Sequence, residues 1–65
     1  MKMIAINSSN LARIGWENNI MIVEFHSGTV YQYSCTEIEF NKIIKSPSIG
    51  ESFAEFKKSH TGIRV

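Results

Sequence analysis

The chain has 65 residues, with seven lysines and arginines against six acidic residues and a formal net charge of +1 at pH 7. This near-neutral balance argues against a protein whose main role is to grip phosphate backbones. A chain this short makes one domain, residues 1–65, that hides only roughly 60% of the surface its unfolded form would expose. Because its single cysteine excludes an intrachain disulfide and no zinc-ligand spacing is present, we expect no cofactor and expect a homo-oligomer as the extra source of stability.

The apolar start of the chain also bears on location. Residues 1–6 are too short an apolar run for a signal peptide, and the polar run 7–10 ends them at once. No stretch approaches the roughly 20 apolar residues that a membrane span needs. The sequence therefore predicts a soluble cytoplasmic protein with no membrane partner.

The first half of the chain is predicted to form strands. Residues 3–7 and 11–16 are β-prone and are separated by the polar turn at 7–10. The run 17–19 contains two asparagines, which tolerate left-handed backbone, and supplies the next reversal. Residues 20–25 then form a strand that is apolar on both of its faces, so we expect both faces to be covered.

The segment His26-Ser27-Gly28 predicts the register of the next hairpin. It fits a three-residue loop in which the glycine takes the left-handed position. Val23 then opposes Tyr31, and Met21 opposes Tyr33, on the face shared with Phe25 and Thr29.

A shorter loop is the alternative. Two loop residues would exchange the faces and place the tyrosines with Ile20 and Ile22, because side chains alternate along a strand. The sequence favours the three-residue loop, which puts Ile20 and Ile22 with Val30 and Gln32 on the opposite face.

Thr36 and Glu39 match a capping box, so a helix should begin just after Thr36. This helix should end near Lys45. Its apolar positions recur at helical spacing: Phe40, Ile43 and Ile44.

Pro47 forces a break, and Ser46 or Ser48 can cap a second helix. Residues 62–65 either add a terminal strand or trail. The predicted fold is α+β: a three- or four-stranded antiparallel meander followed by two short helices packed on one sheet face. The apolar stripe of the second helix is predicted at Ile49, Phe53 and Phe56.

Several short motifs in order resemble the KTSC domain over nearly the whole chain. The central Tyr-x-Tyr after a glycine is the most recognisable of them. The motifs are Ser8-Ser9, Ile14-Gly15-Trp16, Val23-Glu24-Phe25, Gly28, Tyr31-Gln32-Tyr33, and Ser48-Ile49-Gly50 followed by Phe53.

The resemblance implies a module found at the C-terminus of some lysyl-tRNA synthetases and as free-standing bacterial or phage proteins. The function usually suggested for the family is RNA binding. Two departures are visible: Trp16 stands where the family tends to have tyrosine, and Thr36-Glu37 replaces a Val-Pro pair before the first helix. The second departure exchanges one residue pattern that favours a helix start for another, so it leaves the predicted fold intact.

The search for catalytic machinery is negative. The acidic residues scatter without a motif, and neither a nucleophile elbow nor a glycine-rich phosphate loop is present. Cys35 precedes a helix, whose dipole could lower the thiol pKa, but a semi-buried apolar role is favoured. His26 and His60 are predicted at the surface. We therefore expect a non-enzymatic protein.

The first functional hypothesis is binding of RNA. Aromatic side chains would stack bases, and cations from a mildly basic C-terminal third would contact phosphates. The alternative is that both tyrosines pack under the helices, where they cannot stack bases. The candidate residues are Trp16, Tyr31 and Tyr33 for stacking, with Arg13, Lys57 and Lys58 for phosphates.

The second hypothesis is a protein-interaction module, such as a small phage-encoded inhibitor of a partner enzyme. It would act through the apolar face of Ile20, Ile22 and Val30 around Gln32, which a monomer leaves exposed. A symmetric homodimer through this face, or edge to edge along a free strand, is the form of self-association we expect.

Overall fold

One antiparallel sheet and two helices make up the protein, as described for residues 2–65 by a computed structural model; Met1, part of the predicted apolar start, lies outside the described residues. The α+β class and the order of strands before helices are confirmed. The C-terminal residues form a fifth strand on the sheet. Along the chain the elements are strands β1 (Met3–Ala5), β2 (Leu11–Glu17), β3 (Ile20–Phe25) and β4 (Val30–Ser34), helices α1 (Glu37–Ile44) and α2 (Ile49–Phe56), and strand β5 (Ile63–Arg64). The five strands are neighbours in the sheet in this same order.

The turn between β2 and β3 is made by two asparagines. Asn18 and Asn19 have φ values of 52° and 63°, and Glu17 pairs with Ile20 across the turn. Two successive positive φ values define the type I′ geometry, which follows the natural twist of a hairpin. The reversal predicted here is confirmed.

The hairpin between β3 and β4 has the predicted three-residue loop. The Phe25 amide donates to the Thr29 carbonyl at 2.9 Å, and Gly28 takes a φ of +92°. Met21 lies opposite Tyr33, and Val23 lies opposite Tyr31. The register is therefore confirmed, and it places both tyrosines on the face that carries the helices.

Helix α1 begins with the predicted capping box. The Glu39 amide donates to the Thr36 hydroxyl at 3.2 Å, while the Thr36 amide donates to Glu39 Oε1 at 2.9 Å. These bonds satisfy amides that the first helical turn cannot pair internally. Lys45 closes the helix as its C-cap.

Both candidate serines contribute to the start of α2. Ser48 is the N-cap and accepts from the Glu51 amide at 3.4 Å, while the Ser46 hydroxyl accepts from the Ser48 amide at 3.2 Å. Pro47 lies between them and cannot continue α1. The break between the helices is thus fixed by residues 46–48.

The core lies between the inner face of the sheet, which carries the helices, and the apolar stripes of α1 and α2. Among residues 2–65 no polar or charged side chain is fully buried. The predicted helix stripes supply Phe40, Ile43, Phe53 and Phe56 to this core. The remaining buried side chains are Leu11, Ile14, Met21, Val23, Tyr33 and Cys35.

Candidate functional site

Tyr33 belongs to the core. Its side chain is 4% exposed, and its ring packs edge-on against Phe53 at 5.4 Å and Phe56 at 5.8 Å between centroids. Gly62 lies directly on the ring, since a Cβ there would fall 2.6 Å from Tyr33 Cζ. Burial, and to a lesser degree Tyr31, raises the pKa of the Tyr33 hydroxyl. This geometry leaves no ring face for a base, so Tyr33 drops out of the stacking candidates.

Tyr31 is placed differently from Tyr33. Its side chain is half-buried, with edge-to-face contacts to Phe25 at 5.8 Å and Tyr33 at 6.4 Å. On the edge side of the sheet, Arg64 of β5 is its cross-strand partner. Tyr31 is therefore anchored by the core on one side and meets a cation on the other.

Trp16 holds two parts of the fold together. Its indole Nε1 donates to the Cys35 carbonyl at 2.7 Å, and its ring stacks on Phe40 with a centroid distance of 6.2 Å. The indole N–H is already used, and one ring face is already stacked. Trp16 therefore serves mainly to link β2 to the β4–α1 connection rather than to receive a base.

Arg13 lies on the other side of the sheet from Lys57 and Lys58. Its side chain points to the outer face, opposite the helices, where its Nε lies 2.8 Å from Glu24 Oε1. The six candidates for nucleic-acid contact therefore do not form one surface.

Lys57 is linked to Tyr31 through two intervening aromatic rings. Its Nζ lies 5.6 Å from the centre of the Phe53 ring. Phe53 in turn contacts Phe25, and the Phe25 ring packs against Tyr31. Beside Phe25 a cleft of about 280 Å³ is lined by Lys57 and by polar residues of two loops. Those polar residues are Ser9, Asn10, His26 and Ser27.

Lys58 follows Lys57 just beyond the end of α2. It is exposed and pairs with Glu55 at 3.2 Å, an exposed contact of the kind that contributes little and yields readily to another anion. We name the surface formed by Tyr31, Lys57, Lys58 and Arg64 the Tyr31 patch. Arg64 was not among the sequence candidates, because only the pairing of β5 with β4 brings it to Tyr31.

The predicted interface residues do come together. Ile20, Ile22, Val30 and Gln32 share the outer face of β3 and β4, and each is half-buried. The sequence missed two apolar neighbours at the C-terminal end: Ile63 of β5, opposite Gln32, is 62% exposed, and Val65, which follows β5, is 64% exposed. Within the described residues both helices lie on the inner face, so this apolar surface has no cover from them.

Cys35 is an inert thiol rather than an activated one. It is 2% exposed and lies 3.5 Å from the Thr36 carbonyl, to which it donates. Burial, followed by the Glu39 carboxylate, raises the pKa of the thiol to about 11. The alternative of a lowered pKa at the helix start is therefore wrong, because burial and a neighbouring carboxylate outweigh the helix dipole.

His60 differs from the surface position predicted for it, whereas His26 is exposed as predicted. The His60 ring is half-buried and stacks on Phe56 with centroids 3.8 Å apart. Its Nε2 lies 3.1 Å from Glu39 Oε2. Hydrogen bonds from Thr36, with a smaller contribution from His60, lower the pKa of Glu39.

Residues 2–65 also bear on metal binding and on membrane crossing. They contain no cluster of three or more His, Cys, Asp or Glu side chains that could hold a metal ion. None of their helices has the length and apolar character to cross a bilayer.

The comparisons with known proteins agree with the fold and the motifs. The KTSC domain matches residues 7–60. An uncharacterized protein of Stutzerimonas stutzeri (strain A1501) is 36% identical over 64 residues, covering 92% of this chain and 90% of that protein. The chain belongs to the KTSC domain family.

Proposed function

We propose that this protein is a non-enzymatic cytoplasmic module that binds single-stranded RNA through the Tyr31 patch. The observation that carries the proposal is the placement of Tyr31. Its ring is half-buried against the ring of Phe25 and is flanked by Arg64. A ring held from below by other rings loses little freedom when a base stacks on its open side. Such stacking contributes about 1 to 3 kcal/mol per base.

The cations around Tyr31 support phosphate contacts next to the stacked base. Lys57 lines the cleft beside Phe25, and the exposed Lys58 follows it at the end of α2. With Arg64, the patch contains three cationic side chains, and Glu55 pairs with one of them, Lys58. This local excess of positive charge suits the phosphates of single-stranded RNA, even though the chain as a whole is nearly neutral.

Family membership adds to the argument, because RNA binding is the role usually suggested for the KTSC domain. A reducing cytoplasm suits a domain whose one cysteine is a free, buried thiol.

Fluorescence anisotropy with a labelled single-stranded RNA oligonucleotide tests the proposal. About three phosphate contacts predict a slope of roughly −2 when log affinity is plotted against log salt concentration. The Lys57→Ala/Lys58→Ala variant should weaken binding, whereas Lys42→Ala/Lys45→Ala, which removes the same charge from α1, should not. The proposal fails if single-stranded, tRNA-like and duplex RNA all fail to bind at low salt.

The second candidate is the protein-interaction module, which one observation favours. Ile63 and Val65 extend the apolar outer face and are both exposed. Contiguous apolar surface of this kind marks an association site. Capture of a specific protein by the native chain, lost in Ile22→Asp but kept in the Tyr31→Ala variant, would support this function over RNA binding.

A further inference from the structure

We propose that two copies of this chain form a symmetric dimer by packing their outer sheet faces together. The two-fold axis runs roughly parallel to the strands, between β2 and β3. The proposal is independent of RNA binding, because the Tyr31 patch lies on the helix side of the sheet.

The size of the outer face is sufficient for such a dimer. The five strands have three, seven, six, five and two residues in chain order, which at about 4.8 Å between strands and about 3.4 Å per residue gives a face of roughly 375 Å². With the relief of the side chains, two such faces hide on the order of 1,000 Å² of accessible surface, near the lower end of stable interfaces. A domain of 65 residues gains much from covering it, because its own core is thin.

Charge complementarity selects the axis. Arg13 and Glu24 are cross-strand partners on β2 and β3, joined by a 2.8 Å contact on the outer face. A two-fold axis between these strands exchanges their positions, so that Arg13 lies over Glu24 of the second copy. The two chains then form a closed ring of four alternating charges, which fixes the register of the dimer.

The side-chain sizes are compatible with the same axis. Gly15 and Ile22 are also cross-strand partners on β2 and β3. The same rotation brings Ile22 of one copy over Gly15 of the other, which is covered within its own chain and presents no side chain of its own to the interface. Ala5 likewise lies over Val30 of the second copy, so small residues face large ones across two sheets about 10 Å apart.

Other arrangements fit less well. An axis between β3 and β4 would set Glu24 against Val30 and Ile22 against Gln32, because these are the cross-strand pairs there. The axis between β2 and β3 also sets Glu17 over Ile20 and Met3 over Gln32, so the difference lies in the charges. Of the two axes, only the one between β2 and β3 places an opposite charge over each member of the Arg13–Glu24 pair. Edge pairing through β5 would rest on a strand of two residues.

Sedimentation equilibrium over roughly 1 μM to 1 mM chain, a range that spans weak and moderate dimers, tests the proposal. We expect a concentration-dependent dimer. The R13E and E24R variants each place like charges across the axis and should weaken the dimer about tenfold or more. An equimolar mixture of R13E and E24R should restore it as a heterodimer, because every facing pair is then opposite in charge.

The matched control is Ile38→Glu, which changes a side chain that is 81% exposed on α1 and should leave dimerisation unchanged. Circular dichroism of each variant separates loss of the dimer from loss of the fold. Isotope-filtered NOEs between Val30 methyl groups and the methyl group of the exposed Ala5 of the other copy should be present.

Three results would overturn the proposal. The first is a wild-type chain that stays monomeric over the whole range, even if another protein binds its outer face. The second is a mixture of R13E and E24R that gains no affinity. The third is a dimer that lacks the contact between Val30 and Ala5 of the two copies.

Discussion

His60 and Glu39, 21 residues apart in sequence, meet with the His60 Nε2 3.1 Å from Glu39 Oε2. The other ring nitrogen, Nδ1, lies 2.8 Å from the Phe56 carbonyl oxygen. A carbonyl and an ionised carboxylate only accept hydrogen bonds, so both contacts are satisfied together by the doubly protonated ring. The ring also stacks on Phe56. This contact links the start of α1 to the segment that follows α2.

The first prediction concerns this link. A double-mutant cycle with Glu39→Gln and His60→Gln should give a coupling free energy that is larger near about pH 5.5 than near about pH 8.5, because the ion pair needs a protonated imidazole. Urea unfolding of the four proteins measures it. A coupling energy that does not change with pH would show that the contact is made by the neutral ring.

The second prediction concerns acid stability. Because the pKa of Glu39 is lowered in the folded protein, its charge stabilises the fold above the ordinary value of 4.5, and this contribution is lost as pH falls below it. At neutral pH, Glu39→Gln should cost about 0.5 to 1 kcal/mol, since the charge sits in the first turn of α1.

Once the pH falls below the lowered pKa of Glu39 in the folded protein, the wild-type protein and Glu39→Gln should have similar unfolding free energies, because Glu39 is then protonated. Chemical denaturation at several pH values measures this. The control is Glu37→Gln, an exposed carboxylate in the same turn. A Glu39→Gln deficit that persists unchanged in acid would contradict the role given to the charge.

The third prediction concerns the contact between Gly62 and Tyr33. Gly62→Ala should destabilise the fold by about 1 to 3 kcal/mol, because the new methyl group overlaps a ring that Phe53 and Phe56 hold in place. Hydrogen exchange at the Val65 amide, which donates to the Val30 carbonyl, should accelerate as β5 loosens.

Gly50→Ala is the matched control for Gly62→Ala. Its Cβ would meet the Ser8 hydroxyl at 3.1 Å, the end of a small side chain that can rotate, and alanine favours the helix. We expect Gly50→Ala to be neutral or stabilising. Equal stability of Gly62→Ala and wild type would mean that β5 does not rest on Tyr33.

The fourth prediction concerns Cys35. With a thiol pKa of about 11 and almost no exposure, the native protein should react with iodoacetamide at pH 7.5 at least about a hundredfold more slowly than the urea-unfolded chain. Mass spectrometry over time measures both rates. Native reactivity equal to that of the unfolded chain would rule out the buried position of the thiol.

Local chemistry explains how much of the fold could be predicted from sequence. Gly28 indicated the loop, the loop indicated the register, and the register placed Tyr31 and Tyr33 beside the helix stripes. Thr36 with Glu39 marked the start of α1 in the same way. Each of these features depends on residues only a few positions apart.

The parts that sequence did not reveal depend on distant partners. Arg64 reaches Tyr31 only because β5 returns to β4, and Gly62 covers Tyr33 for the same reason. The bond from Trp16 to the Cys35 carbonyl joins residues 19 positions apart. No pattern among neighbouring residues in the sequence indicates these contacts. The candidate stacking rings could therefore not be separated into buried and accessible ones from the sequence.

The most direct test of the proposed function is NMR titration of the ¹⁵N-labelled protein with a single-stranded RNA oligonucleotide at low salt. We predict that the largest shift changes fall on Tyr31, Arg64 and the Lys57–Lys58 end of α2, while Ile22 and Gln32 change little. Tyr31→Ala should weaken the interaction about tenfold, whereas Tyr31→Phe, which keeps the ring, should bind nearly as well as wild type. Shift changes confined to the outer sheet face, or none at saturating RNA, would contradict RNA binding through the Tyr31 patch.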